Sequence, residues 1–136
     1  MLPLASTPEA LASLASLVAG LIYVSETDHE LSVVRLGATT NLQTEPLLRA
    51  LSKPSGTQLE VVSVADFFQP ATQSQPFHSD EERAVVERYR QLVEFLTTHL
   101  ADARAVRVGT IKLDVYALGR TSDGDWVGVA TTIVET

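Results

Sequence analysis

The segment from Leu113 to Thr136 reads LDVYALGRTSDGDWVGVATTIVET. Ile111, Leu113, Val115 and Ala117 alternate with more polar neighbours, an Asp123-Gly124 pair interrupts, and a second β-rich run spans Trp126 to Val134. Period-two alternation marks a half-buried strand, and Asp-Gly between two such runs marks a tight hairpin. Strands joined in this way pair antiparallel, which excludes a doubly wound, all-parallel sheet. A chain that runs from a strand into Thr136 leaves almost no trailer. Its last residue and terminal carboxylate are therefore expected to be held in place, where the ends of most domains are loose.

Helices fill much of the remainder. Thr7-Pro8-Glu9 supplies a capping hydroxyl, a proline at the first helical position and an acid in the first turn. Leu11, Leu14, Leu17 and Val18 then repeat at helical spacing, and Gly20 suits the exit. Leu21 to Val24 is a short apolar run that feeds the polar corner Ser25-Glu26-Thr27-Asp28-His29-Glu30. A strand is predicted over Leu31–Leu36, a loop over Gly37–Asn41, a short helix from Thr44 to about Leu51, and another strand over Leu59–Val62. Asp66-Phe67-Phe68 forms a helical turn that plugs two aromatics into the core, and Gln69–His78 reads as an irregular loop. Ser79-Asp80-Glu81-Glu82 is a capping box that opens the longest helix, to about Leu100. Val85, Tyr89, Leu92, Leu96 and Leu100 line its core face, widened by Val86, Val93 and Phe95, while Arg83, Glu87, Arg88 and Glu94 face water. A short strand is expected at Val106–Val108. The fold class is α+β: a mixed or antiparallel sheet with helices packed on it, resembling an α/β/α sandwich, in one domain over residues 1–136.

Composition narrows the function. The chain has 136 residues, 45% hydrophobic and 20% charged, enough for one domain with a core and too few for two. A net charge of −7 argues against nucleic-acid binding, which needs a basic stripe. It suits docking on a basic surface, and it also serves plain solubility. With no cysteine, disulfides, thiolate catalysis and cysteine metal sites are excluded, in keeping with a cytoplasmic protein. The apolar start has no basic residue before Arg35 and is broken by Pro8 and Glu9, so neither a signal peptide nor a membrane span is expected.

The sequence advertises no active site. His29, His78 and His99 have no partner at a metal-binding spacing and read as ordinary surface histidines, with His99 favourably placed at a helix C-terminus. G-x-S-x-G, G-x-G-x-x-G and G-x-x-x-x-G-K are all absent, so no hydrolase elbow or phosphate loop is expected. The corner Glu26-Thr27-Asp28-His29-Glu30 offers carboxylates for acid–base chemistry, or simply a solvated loop. No cofactor and no resident metal are expected.

Four stretches taken together are similar to the nuclease A inhibitor family: LIYVSETD at Leu21–Asp28, ADFFQPAT at Ala65–Thr72, SDEERAVVERYRQLVEFL at Ser79–Leu96, and the tail from Leu113. Such proteins block a non-specific, metal-dependent DNA/RNA endonuclease. The resemblance implies a non-enzymatic, one-to-one plug of the nuclease's catalytic cleft. It also implies that Glu26, in the Ser25-Glu26-Thr27 motif, and the carboxyl-terminal Thr136 reach that metal-bearing site. Ser25, Thr27, Asp28 and Glu135 come with them as candidate contacts. Such a cleft holds basic side chains and a hard divalent cation that accepts oxygen ligands, so a carboxylate and a hydroxyl can stand in for phosphate oxygens. Negative charge would steer the encounter, and a pre-fixed terminus would lose little entropy on binding. Trp126 is either an interface anchor or ordinary strand packing. A rival reading is an interaction module with a different protein partner. A less favoured one is a small hydrolase or ligand-binding domain, which would need a pocket of converging histidine and carboxylate groups.

Overall fold

The computed structural model describes residues 4–24, 26–37 and 44–135. A five-stranded antiparallel sheet forms the middle layer, with spatial order β3-β7-β6-β5-β4. Its strands are β3 (Ser32–Gly37), β4 (Leu59–Val62), β5 (Ala101–Val108), β6 (Lys112–Arg120) and β7 (Trp126–Val134). A separate two-stranded hairpin, β1 (Ile22–Val24) and β2 (Asp28–Glu30), lies beside it. Every strand pair is antiparallel, which resolves the choice between a mixed and an antiparallel sheet.

Helices cover both faces, because residues alternate along β5, β6 and β7 between two apolar sides. Ala105, Leu113, Val115, Ala117, Val127, Val129 and Ile133 pack under three helices, α1 (Thr7–Val18), α3 (Val64–Thr72) and α4 (Asp80–Thr98). Val106, Val108, Leu118 and Trp126 point the other way, against Leu47 and Leu48 of α2 (Thr44–Ala50). The β6–β7 turn carries the expected Asp123-Gly124 pair, with Gly124 at φ +87° and the Thr121 N–H donating to Asp125 O at 2.8 Å.

Several local expectations need correction. Ser6, not Thr7, caps α1: the Ser6 hydroxyl accepts from the Glu9 N–H. Thr7 is buried and has another task. Its hydroxyl donates to Asp125 Oδ2 at 2.6 Å and lies 2.9 Å from the Thr121 hydroxyl, tying the helix start to the distant β6–β7 turn. The side chain of Asp125 also accepts from Arg35 at 3.0 Å. Asp125→Ala would take the carboxylate acceptor from the buried Thr7 hydroxyl and from Arg35, while the Thr121 hydroxyl keeps the N–H of residue 125; a loss of about 1–3 kcal/mol is expected in denaturant unfolding.

Helix α3 is longer than one turn and takes in Gln69–Thr72, the start of the expected loop. Pro70 removes one helical hydrogen bond, yet burial of Val64, Phe67 and Phe68 holds the element together. The Arg90 Nε–H also satisfies the carbonyl of Thr72 at 2.9 Å, near the helix end. The capping box of α4 is present in full. Val85, expected in its core face, is 43% exposed, and Ile111 is 60% exposed. Each sits at the rim of a stripe whose centre is held by its neighbours: Val86, Tyr89, Leu92 and Leu96 in α4, and Leu113 to Ala117 in β6. Arg88 is not simply solvated, because it donates to the carbonyls of Leu17 and Ala19 at the end of α1. Strand β5 begins at Ala101 rather than Val106, with an irregularity between Ala101 and Arg104 that obscured its alternation in the sequence. Most of the loop expected after Gly37 lies outside the described residues.

A candidate inhibitory edge

The polar corner is the turn of a hairpin. Asp28-His29-Glu30 is strand rather than loop, and Val24 pairs with Asp28, which leaves Glu26 and Thr27 at the turn. Glu26, Thr27, Asp28 and Glu30 are all exposed. Among the described residues the hairpin makes no ladder with the main sheet, so other groups must fix it. The Thr131 hydroxyl of β7 donates to the carbonyls of Glu30 and His29, at 3.2 and 3.4 Å. The Leu31 N–H donates to Leu21 O at 3.2 Å and closes the hairpin base.

Tyr23 is the main anchor. Its ring stacks on Phe67 at 5.0 Å and meets Phe68 and Tyr89 edge-on at 6.1 and 6.2 Å. The Tyr23 hydroxyl donates to Phe67 O at 3.2 Å, and the Tyr89 hydroxyl to Ile22 O at 2.5 Å. Aromatic pairs of this kind add about 0.5–1.5 kcal/mol each beyond burial. Burial raises both phenol pKa values, with the nearby Arg107 charge opposing the rise at Tyr23, so both stay neutral donors at physiological pH.

The far end of β7 meets the same region. A cleft of about 330 Å³ has walls that include Tyr23, Phe67, Arg107, Ile133 and Glu135. Tyr23 lies three residues before Glu26, and Glu135 directly precedes Thr136. Glu135 is held at both ends: its N–H donates to Ile111 O at 2.9 Å, and its carboxylate accepts from Arg107. The surroundings are strongly acidic. Glu26, Asp28 and Glu30 on the hairpin and Glu60, Asp66 and Glu135 around the cleft are all exposed, and the half-buried Arg107 lies between Glu60 and Glu135. Ser25 and Thr136 lie outside the described residues.

Trp126 is elsewhere. It begins β7 while Glu135 follows the strand's end, about 30 Å away at the rise of an extended chain. Its ring is 8% exposed in the core cluster on the opposite face, with the Arg104 and Arg120 guanidinium groups 5.5 and 6.0 Å from the ring centre. Those contacts support the strand-packing alternative.

One surface residue escaped sequence reasoning. Phe77 is 80% exposed and meets His78 edge-on at 5.1 Å. His78 lines an apolar groove together with Ile22, Tyr23, Pro70, Val85 and Tyr89, which joins this loop to the hairpin. A lone aromatic in an irregular, uncharged segment has no periodicity that would flag it. Among the described residues no group of three or more histidine, aspartate or glutamate side chains is arranged to hold a metal ion. No described helix is long and apolar enough to cross a membrane.

No curated protein matches the chain. Residues 8–136, nearly the whole length, match the family model of nuclease A inhibitor-like proteins. The chain therefore belongs to the nuclease A inhibitor-like family, whose membership suggests a nuclease inhibitor role in general, with a nuclease as the general kind of partner.

Proposed function

We propose that this protein inhibits a non-specific, metal-dependent DNA/RNA endonuclease by entering its catalytic cleft as a one-to-one plug. Glu26 and Thr136 supply oxygen groups where the cleft would otherwise hold substrate phosphate. The observation that carries this reading is the exposed, acidic hairpin turn pinned by the Tyr23 aromatic cluster, next to the end of β7. A nuclease cleft is electropositive, so clustered carboxylates both speed encounter and pair with its basic groups. A hard divalent cation in the cleft takes oxygen ligands and exchanges waters, which gives Glu26 and the Thr136 hydroxyl a common target. The hairpin is already fixed before binding, so little ordering entropy opposes association. Phe77 adds an exposed aromatic of the kind that anchors interfaces.

The test is digestion of plasmid DNA by a nuclease of this type at fixed Mg²⁺, titrated with the untagged protein. Loss of cleavage with an end point at one equivalent is the expected result. Full cleavage at large molar excess would end this reading and favour a different protein partner. A finer prediction concerns the last residue. A short extension beyond Thr136 should weaken inhibition at least about 10-fold, since it displaces a group proposed to lie in a desolvated site. An extended protein that inhibits as well as the original would remove Thr136 from the contact.

A further inference from the structure

Arg107 occupies an unusual position beside the proposed inhibitory edge. It lies on β5 opposite Glu60 of β4 and Val115 of β6. Its guanidinium donates through Nη1 to Glu60 Oε1 at 3.2 Å. Through Nη2 it reaches past β6 to the carboxylate of Glu135, just beyond β7. One side chain thus links β4, β5 and the end of β7. The cation is the sheltered member, 21% exposed against 57% for Glu60 and 54% for Glu135. Its Nε is buried and has no hydrogen-bond partner among the described residues.

That arrangement is poorly suited to stability alone. Half-exposed ion pairs contribute little to folding, and an unpaired buried donor counts against the folded state. What a planar fork with a carboxylate on each of two nitrogens does well is fix direction. Glu135 receives that fix, and its backbone is also held through Ile111 O. We propose that Arg107 is a positioning residue: by clamping Glu135 against Glu60 it sets where the chain delivers residue 136 to the nuclease. The proposal rests on the inhibitor reading above and assigns Arg107 no contact with the partner.

The experiment is a double-mutant cycle with Arg107→Met, which keeps an unbranched apolar stem and removes the fork. Inhibition by Arg107→Met should weaken about 10-fold. On a background already lacking Thr136 it should change less than about 2-fold, whereas on Glu26→Ala its full effect should remain. Arg107→Lys, which cannot hold both carboxylates in one plane, should recover only part of the loss, and Glu135→Gln should behave like Arg107→Met. A role confined to stability would instead weaken every background equally, and that result overturns the proposal. So does an Arg107→Met protein that folds and inhibits like the wild type.

A readout without nuclease separates the two claims. Amide ¹⁵N relaxation at Glu135 and Thr136 should report increased motion in Arg107→Met, with the rest of β7 unchanged. Unchanged relaxation at both amides overturns the clamp even if the wild type inhibits. Increased motion upholds it even if the titration finds no inhibition, in which case only the nuclease reading falls.

Discussion

Replacing Glu26 with glutamine should raise the inhibition constant at least about 30-fold, the equivalent of about 2 kcal/mol, without changing the melting temperature. The two halves of that expectation have separate causes. Glu26 is exposed, and its turn is fixed by Tyr23, Tyr89 and Thr131, so what one exposed charge adds to folding is expected to be small. In the complex, the same carboxylate would be removed from water and face a metal ion and basic side chains. Glutamine keeps the size and loses the charge, leaving the nuclease's cationic groups desolvated without compensation. Losses on this scale are typical where one partner of a buried charge pair is deleted. The check is a tight-binding titration at two salt concentrations beside a thermal melt. An unchanged inhibition constant would strike Glu26 from the interface, and a lowered melting point would mean that its role is structural.

Gly128→Ala should be among the most destabilising single-methyl changes available to this chain. Gly128 sits in β7 between Leu118 on β6 and Val34 on β3, at the centre of the sheet. A Cβ added there would lie 1.8 Å from the carbonyl oxygen of Ala117 and 2.8 Å from its carbonyl carbon. Both atoms belong to the backbone of a strand paired on both sides, so no side-chain rotation relieves the overlap. Strands β6 and β7 must separate locally, and a cost of about 3 kcal/mol or more is expected. For a domain of this size that is a fall of roughly 10 °C in melting temperature. Calorimetry of the variant decides the matter, and a shift within 2 °C would mean that β6 and β7 are less closely apposed than described. Amide exchange should also localise the loosening to β6 and β7.

Much of the fold was legible because its signals are local. The capping box at Ser79, the four-residue spacing of Leu92 and Leu96, the Asp123-Gly124 turn and the alternation through Leu113, Val115 and Ala117 each lie within a few residues of what they specify. Where the reading slipped, a non-local contact had taken over. Thr7 resembles a cap in isolation and instead bonds Asp125 across the molecule. Asp28-His29-Glu30 reads as polar loop and becomes strand because Ile22–Val24 pairs with it and Thr131 holds it from the side. Gln69–Thr72 reads as the start of an irregular loop and instead belongs to α3, which the burial of Phe67 and Phe68 holds together.

The candidate site divides in the same way. The Ser25-Glu26-Thr27 motif and the acidic end of the tail can be read directly, since each is a run of neighbouring residues. The cleft that Tyr23 and Glu135 share cannot, because the two residues lie at opposite ends of the chain and meet only through the order β3-β7-β6-β5-β4 and the hairpin docked beside it. Arg107 is the clearest case: in the sequence it is one basic residue in an alternating strand, and only the pairing of β5 with β4 and β6 carries it to both Glu60 and Glu135. The sequence by itself determined most of the elements, because helix and strand formation depend largely on neighbours a few positions away. Tertiary structure alone decided which acids share an edge and what holds them there, because that depends on strand order and register, which no local pattern encodes.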